Sequence, residues 1–334
     1  MLILRLNRQY MGGIKSIQQN IAQDLSKLND IIQNALNSDS ALMHQIVTKF
    51  LESKGKQIRP ILVILSGRFF GGVNSSVLHA GAAIELLHNA SLIHDDVIDE
   101  SKERRGQPTI NRIWDNHISV LVGDFFVSAA LHCAVQTENH NITAVLSRLG
   151  RELSLGEMSQ IDNARQHNID EKTYFDIIKH KTASLFKCCV EVSGHATGAG
   201  DKELEDLMKF TELLGLCFQI KDDIFDYFED KAIGKPTGND LREGKVTLPL
   251  IYALSKDNAA AQEEMVAMVK KNELSSEEIA TLIEFAKNEG GIEYAYSTME
   301  RLRDEAFEIL NGYPQEEAVE DFKSLFNFII QRNK

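Results

Sequence analysis

The chain has 334 residues, of which 36 are basic and 49 acidic, and its formal net charge is −13 at pH 7. This balance argues against a nucleic-acid partner, because phosphate backbones select surfaces rich in Lys and Arg. A hydrophobic fraction of 43% excludes a disordered or fibrous chain and is typical of a folded globular protein. The four cysteines include no C-x-x-C pair, so we expect buried, reduced thiols and no zinc site.

Helical periodicity extends over most of the chain, whereas the period-two alternation of strands is absent. The first helix is predicted over residues 14–35, where apolar side chains recur every three or four positions. Further helices are predicted at about 41–53, 58–70, 76–100, 118–137, 142–164, 171–199, 202–229, 247–271, 276–289, 292–311 and 315–331. Ser275 and Glu278 have the spacing of a capping box before one of them. Residues 1–334 are therefore predicted to form a single all-α domain, built as one large helical bundle.

The N-terminal residues and the most apolar stretch bear on localisation. Met11 is a second candidate for the start, in which case residues 1–10 would be non-native or disordered. The segment before it is too short and too charged for a secretory signal. The stretch 119–135 contains Asp124 and His132, so it lacks the roughly 18 uninterrupted apolar residues of a membrane span. We therefore expect a cytoplasmic protein.

Two stretches share the spacing D-D-x-x-D and are followed by cations: "LIHDDVIDESKERRG" at 92–106 and "QIKDDIFDYFEDKAIGK" at 219–235. On a helix, Asp95 and Asp99 lie on one face with Cβ atoms roughly 6 Å apart, and Asp222 and Asp226 repeat this arrangement. Each cluster lies near the C-terminal end of a long apolar helix, where the helix dipole disfavours negative charge. The two clusters therefore predict that something cationic binds between them.

Hard divalent cations suit such a gap between carboxylates. Mg²⁺ is usually held by one or two carboxylates together with substrate phosphates and water, so the clusters predict metal-dependent diphosphate chemistry. Five cations near the clusters are candidates to bind the remaining phosphate oxygens: Arg104, Arg105, Lys181, Lys235 and Lys245. One cluster could equally be a solvated helix face, but two copies with the same flanks favour a site. Glu85 and His88 would suit a di-iron bundle, which needs a second Glu-x-x-His pair that this sequence lacks.

From about residue 40 to its C-terminus, the chain resembles the trans-type polyprenyl diphosphate synthases. Besides the two aspartate motifs, four stretches carry the resemblance: "GKQIRP" (55–60), "LVGDF" (121–125), "KTASLF" (181–186) and "GNDLREGKVTLPL" (238–250). The resemblance implies an isoprenoid synthase-type bundle with a central active-site cavity. It also implies a Mg²⁺-dependent enzyme that joins isopentenyl diphosphate head-to-tail onto an allylic diphosphate, such as geranyl or farnesyl diphosphate.

The resemblance also implies roles for residues at the matching positions. The metal ligands would be Asp95, Asp99 and Asp222, supported by Asp226, for about three Mg²⁺ ions per active site. The allylic diphosphate would contact Lys181, Lys235 and Arg104, and the reaction centre would be lined by Thr182 and Gln219. The diphosphate of isopentenyl diphosphate would contact Lys56, Arg59, His88 and Arg105, and Lys245 would close over the site. Catalysis would depend most on Asp95, Asp99, Asp222, Lys181 and Lys235.

Two positions need comment against the family pattern. The family often reads G-G-K-R-x-R-P where this chain has Gln57, but Lys56 and Arg59 are retained. His88 lies seven residues before Asp95, two turns away on the same helix face, which supports its assignment. His94 falls on another face and is left out of the site.

Product length should depend on Ala90 and Ser91, five and four residues before Asp95. In the family, bulky aromatic residues there stop growth at short products, so these small side chains predict an all-trans product beyond C20, plausible as the side chain of a respiratory quinone. The tunnel floor is expected in the helix 119–135, with four candidate stops: Phe125, Phe126, Leu131 and His132.

Several alternatives stay open. The chain could be a geranylgeranyl or farnesyl diphosphate synthase, or one subunit of a two-component prenyl synthase. A terpene cyclase is disfavoured because its second motif usually carries Asn and Ser/Thr ligands in place of Asp222 and Asp226. A metal-storage bundle would leave the basic residues unexplained. The family is usually homodimeric, and release of a long product into lipid suggests at most a transient membrane contact.

Overall fold

A computed structural model describes residues 14–52, 55–104, 106–228, 237–256, 259–271, 273–314 and 317–332. Within these ranges the chain is almost entirely helical, and the predicted all-α fold is confirmed. The four cysteines are buried free thiols, as predicted.

The first half of the chain contains the helices that carry the first aspartate motif. Residues 14–20 are helical and lead into α1 (Ala22–Ala35), α2 (Ala41–Glu52), α3 (Ile58–Phe69) and α4 (Ser75–Ile98). A hairpin of β1 (Glu103–Arg104) and β2 (Gln107–Pro108) follows, then α5 (Ile110–Ile113), α6 (Asn116–Val135) and α7 (His140–Gln166).

The second half carries the second motif. Its elements are α8 (Glu171–Ile178), a π-helical turn (Lys179–Ala183), α9 (Ser184–Thr197), α10 (Asp201–Phe225) and α11 (Asn239–Arg242). They are followed by α12 (Leu248–Leu254), α13 (Ala259–Val269), α14 (Ser276–Asn288), α15 (Gly291–Leu310) and α16 (Glu317–Gln331).

Helix α4 lies at the centre of the bundle, packed against α3, α6 and α9. Asn74 fixes its start by accepting a hydrogen bond from the Val77 backbone N–H at 2.9 Å. Small side chains such as Ala80 and Ala83 are fully buried along it and let neighbouring helices approach closely. Because α4 is apolar on several faces, its polar C-terminal end is held at a defined depth in the bundle.

Helix α16 is anchored by aromatic rings that pack on α10. The rings of Phe322 and Phe326 lie 5.6 and 5.5 Å from that of Phe210, in edge-to-face arrangements. Such pairs stabilise by about 0.5–1.5 kcal/mol each beyond the burial of their area. This packing brings the C-terminal end of α16 next to the second aspartate motif.

Most predicted helix boundaries are confirmed to within a few residues, and so is the capping box of Ser275 and Glu278. Three predictions were wrong. The stretch 247–271 forms two helices, α12 and α13, and the stretch 171–199 is interrupted by the π-helical turn. Strands were predicted to be absent, yet β1 pairs with β2, with Glu103 opposite Pro108. Strands of two residues and helices of four, such as α5 and α11, are too short to show a period.

By length and composition alone, α6 could cross a membrane. About 44% of its most apolar window is buried in the bundle, and core helices of water-soluble proteins have the same character. Its hydropathy therefore says little about a membrane.

Candidate active site

The first aspartate motif lies where α4 ends. Asp95 is in the last turn of α4 and Asp99 is its C-terminal cap residue, as the sequence predicts. Burial raises the pKa of Asp95 to about 6, with Lys181 opposing the shift and the carboxylate of Glu157 adding to it. Burial also raises the pKa of Asp99, opposed mainly by Lys245. Both carboxylates are thus unfavourable as anions without further positive charge.

The middle aspartate of this motif has a structural task. The Asp96 carboxylate accepts a hydrogen bond from the Arg104 Nε at 2.9 Å, and its backbone carbonyl accepts one from the Asn111 side chain at 3.0 Å. Because Arg104 belongs to β1, this pair ties the hairpin to the end of α4 and fixes the guanidinium beside the site. Arg105 lies outside the described residues.

The second motif lies at the end of α10. Asp222 is on its last turn, and its Oδ1 atom accepts a hydrogen bond from the Arg332 guanidinium at 2.7 Å. Asp226, the C-terminal cap residue, accepts hydrogen bonds from the backbone N–H groups of Asn239 and Asp240 at 3.1 and 3.0 Å. Both of its oxygens thus hold the start of α11, and its assignment as a supporting metal ligand stays a prediction.

The π-helical turn connects the two motifs. Its Lys181 pairs with Glu157, donates a hydrogen bond to Gln160 at 2.5 Å, and partly offsets the rise in the pKa of Asp95 that burial causes. The next residue, Thr182, donates a hydrogen bond to the Gln219 Oε1 at 2.7 Å, one turn before Asp222. The turn therefore lies between the two motifs. We call the region where they meet the mouth; it contains the ends of α4 and α10 together with the predicted residues Lys181, Thr182 and Gln219.

Two glycines clamp this turn from opposite sides. A Cβ atom built on Gly156 of α7 would lie 3.2 Å from the Lys181 backbone, and one on Gly215 of α10 would lie 2.7 Å from the Ala183 Cα. Contacts under 3 Å to backbone atoms force a shift of the chain. The close approach of α7 and α10 thus fixes the position of Lys181 and Thr182.

Replacing Gly215 with alanine is expected to displace the turn and break the contact between Thr182 and Gln219. We expect the free energy of unfolding to fall by about 1–3 kcal/mol and the turnover number to fall with it. Gly150→Ala on α7 is the control, because a Cβ there meets nothing within 4 Å and should stabilise the helix slightly. Thermal unfolding and initial rates of both variants check this. Unchanged unfolding and activity in Gly215→Ala would contradict it.

A buried network supports Gln219, and the sequence did not reveal it. Asp223 accepts hydrogen bonds from the Tyr174 hydroxyl at 2.6 Å and from the Gln219 Nε2 at 2.7 Å. Burial raises the pKa of Asp223 to about 7, and these two hydrogen bonds partly offset the shift. The pKa of Asp240 is raised well above its usual range, first by burial and then by the nearby charge of Asp223. The network orients the Gln219 amide, because its oxygen and its nitrogen each have a fixed partner.

A cavity of about 150 Å³ adjoins this network. Polar groups of α7 and α8, of the π-helical turn and of the segment around α11 line it, among them Gln160, Tyr174, Lys181, Asp240 and Lys245. Burial alone would lower the pKa of Lys245, but its hydrogen bond to Glu243 and the nearby acids outweigh this, so the pKa is raised. Lys245 therefore remains cationic beside Asp99, where the family pattern predicts it. Lys235 lies outside the described residues.

The remaining predicted cations lie on the side of the second motif. The Lys56 Nζ is 5.5 Å from the centre of the Phe328 ring, and the Arg59 guanidinium is 5.7 Å from that of Phe186. Burial raises the pKa of Asp222. Arg332 opposes this shift most, and Lys56 and Arg59 also oppose it, which places their positive charge near that carboxylate. His88 is 9% exposed on α4. Its contact with a diphosphate stays a prediction.

The two product-length residues differ in their surroundings. Ala90 is 1% exposed and belongs to the core, whereas Ser91 is half-buried and its hydroxyl donates a hydrogen bond to the His88 carbonyl at 2.8 Å. Ser91 lies one turn before Asp95 on the same face, and Ala90 points about 100° further round the helix. Ser91 is thus the better placed of the two to border a growing product.

Of the four candidate floor residues, two face outward. Leu131 is 56% exposed and His132 is also exposed, so neither can close a tunnel within this chain. Phe126 is fully buried, with its ring 5.2 Å from that of Phe50, and Phe125 is half-buried. These two rings remain as candidates.

The donor set fits a hard divalent cation. Each motif offers carboxylate oxygens at a helix end, and Asp95 and Asp99 gain from added positive charge. Among the described ranges, no group of three or more His, Cys, Asp or Glu side chains is gathered that could hold a metal alone.

An all-α bundle whose two aspartate motifs share one mouth with several cations defines the class of metal-dependent, diphosphate-using helical enzymes. A sequence model of the Polyprenyl synthetase family matches residues 40–286, and the chain belongs to this family. Its members are trans-prenyltransferases that use isopentenyl diphosphate and an allylic diphosphate, as the resemblance implied.

Three proteins illustrate the similarity. The chain is 32% identical to a heptaprenyl diphosphate synthase component 2 from Geobacillus stearothermophilus, over 96% of this chain and 99% of that protein. It is 32% identical to an octaprenyl diphosphate synthase from Haemophilus influenzae, over 98% and 100%. A crystal structure of geranylgeranyl pyrophosphate synthase from Bacteroides thetaiotaomicron is 38% identical, with a TM-score of 0.84 over 96% of this chain and 100% of that one.

Proposed function

We propose that the protein extends an allylic diphosphate, geranyl or farnesyl diphosphate, with isopentenyl diphosphate units to an all-trans product longer than C20. The assignment of the reaction rests on one observation: the two aspartate motifs meet at one mouth, beside the π-helical turn. The small side chain of Ser91, one turn below Asp95, supports the long product. The octaprenyl and heptaprenyl synthases among its relatives support it as well.

The cations at the mouth are held ready for a diphosphate. Arg104 is fixed by Asp96, Lys181 by Glu157, and Lys245 by Glu243. Donors that are positioned before the reaction stabilise developing charge without reorganisation, which is usually the largest single contribution to catalysis. We assign Arg104 and Lys181 to the allylic diphosphate that departs, and Lys245 to closing over it.

Below the cations, the walls are apolar. Phe218 lies one turn before Asp222 on α10, and Leu87 lies two turns before Asp95 on α4. Excluding water protects the allylic cation that remains when the diphosphate leaves. Lys56, Arg59 and His88 would then hold isopentenyl diphosphate so that its double bond attacks this cation. The departing diphosphate would accept the proton that is lost.

We propose Mg²⁺ as the metal, with about three ions per active site once substrate is bound. The residues that would hold it are Asp95 and Asp99 on one side and Asp222 on the other, with Asp226 in support. When bound, the metal supplies positive charge to the oxygens of the departing diphosphate. The carboxylates hold the ions, and the surrounding cations bind the oxygens that the ions leave free.

We further propose a homodimer that works in the cytoplasm, contacts membranes only transiently and makes a chain suited to a quinone. On α6, exposed apolar side chains form a stripe made of Val120, Leu121, Leu131 and Val135, which the exposed Asp124 and Ser128 interrupt at its middle. Apolar stripes on helices that also line the core are typical of interfaces between subunits. A second copy would cover this stripe and bury the outward-facing Leu131.

The double variant Leu121→Glu/Leu131→Glu is expected to be monomeric, because four buried carboxylates would face one another across the two-fold axis. Light scattering coupled to gel filtration measures this, with Leu42→Glu, an exposed leucine of α2, as the control. A wild-type monomer, or a double variant that remains dimeric, would contradict the assignment of this stripe.

The proposed function is tested by incubating the purified chain alone with labelled isopentenyl diphosphate, Mg²⁺ and a dimethylallyl, geranyl or farnesyl diphosphate primer. We expect one dominant product longer than C20, and no incorporation in the presence of EDTA. Products of C20 or shorter would favour a geranylgeranyl or farnesyl diphosphate synthase. Failure with every primer by a folded protein would favour a subunit of a two-component synthase, as the name of one relative suggests.

A further inference from the structure

An arginine near the C-terminus binds the second aspartate motif. Arg332 follows α16, and its Nη2 atom lies 2.7 Å from the Asp222 Oδ1 and 3.0 Å from the Phe218 carbonyl oxygen. The guanidinium is stacked on the Phe218 ring, 4.1 Å from its centre, and is only 6% exposed. The Asp222 side chain is 40% exposed.

The Arg332–Asp222 pair contributes little to the stability of the fold by itself. Burial lowers the pKa of Arg332, and its Nε atom has no hydrogen-bond partner within the described part of the chain. A buried guanidinium that is only partly satisfied contributes little net stability. Removing either partner would nevertheless leave the other as an uncompensated charge. Asp222 therefore needs a cation beside it, and Arg332 needs an anion.

Asp222 is also the carboxylate that the family pattern assigns to a metal. A Mg²⁺ ion bonded to Oδ1 would lie about 2.0–2.1 Å from it, on the same atom that receives the guanidinium. Two cations so close would repel strongly at a partly buried site. The first motif differs, because its cations Lys181 and Lys245 each pair with a glutamate and leave Asp95 and Asp99 accessible to a metal.

We propose that Arg332 is a built-in counter-ion that competes with the metal for Asp222. It neutralises the second motif while metal and diphosphate are absent, and it leaves Oδ1 when the metal binds. The exchange needs only a rotation of the side chain, because the Arg332 backbone N–H, one residue beyond the end of α16 at Gln331, is held by a hydrogen bond to the Phe328 carbonyl oxygen at 2.8 Å. The inference rests on the proposed function for one point, the assignment of Asp222 as a metal ligand.

The test is metal binding, not activity. Mn²⁺ is titrated into the protein in the presence of inorganic diphosphate, and free Mn²⁺ is measured by electron paramagnetic resonance. In Arg332→Gln we expect the apparent dissociation constant of the weakest site to fall about tenfold, because the competing cation is gone. Arg332→Lys should lie between the two. Arg301→Gln, which removes an exposed cation of α15, should match the wild type.

Thermal unfolding separates competition from a merely structural role. Arg332→Gln should unfold at a lower temperature than the wild type without metal, and saturating Mn²⁺ with diphosphate should narrow that difference. An equal loss of stability with and without metal, together with an unchanged dissociation constant, would overturn the proposal while leaving the function intact. Absence of Mn²⁺ binding to the wild type and to every variant would overturn both.

Discussion

Replacing Asp95 or Asp99 with asparagine is expected to lower kcat/KM for chain elongation by about 10³-fold or more. Each change weakens the binding of a metal ion whose positive charge would stabilise the departing diphosphate. An asparagine keeps the shape of the side chain but binds a divalent cation far less strongly. Initial rates with labelled isopentenyl diphosphate and farnesyl diphosphate measure the effect. Asp304→Asn, a change at an exposed carboxylate of α15, is the matched control.

The same change at Asp95 should stabilise the metal-free protein. The pKa of Asp95 is raised by burial to about 6, so at pH 7 the folded protein retains an unfavourable charge that asparagine removes. The gain in melting temperature should shrink as the pH falls through about 6, because the wild-type carboxyl then takes up a proton. A variant that retains its activity, or is less stable at pH 7, would contradict this account of the first motif.

Replacing Ser91 with phenylalanine is expected to shorten the product by about two five-carbon units or more. The ring would fill the path one turn below Asp95, and a packed interior has no room for the ring and the growing chain together. Product sizing by chromatography after a single set of incubations measures this. Ser91→Ala leaves the path open and should give the wild-type product.

Ala90→Phe separates a blocked path from a disturbed core. Since Ala90 is 1% exposed, a phenylalanine there must push apart packed helices, and we expect it to lower the free energy of unfolding by about 1–3 kcal/mol. Ser91→Phe should change stability less and product length more. An unchanged product in Ser91→Phe, from a well-folded variant, would mean that the chain grows along another face.

The parts of the structure that depend on neighbours in sequence could be predicted from it. Helical periodicity predicted the all-α bundle. The spacing of Asp95 with Asp99 and of Asp222 with Asp226 predicted the two aspartate motifs at the ends of α4 and α10. The capping box of α14 was also readable, because it involves residues three apart. Such signals are carried by local geometry, which a helix repeats faithfully.

The parts that depend on distant contacts could not be predicted. Arg332 is separated from Asp222 by 110 residues, and Tyr174 from Asp223 by 49, so no spacing connects them. The π-helical turn was hidden inside an ordinary helical period, and the glycines that clamp it had no visible reason to be glycine. The β hairpin that carries Arg104 is too short to alternate.

A crystal structure with Mn²⁺ and inorganic diphosphate tests most directly whether the two motifs form one site. We expect anomalous peaks bonded to Asp95, Asp99 and Asp222, one diphosphate between them in contact with Lys181, and Arg332 withdrawn from Asp222. A diphosphate bound away from both motifs, or metal on neither, would contradict the account.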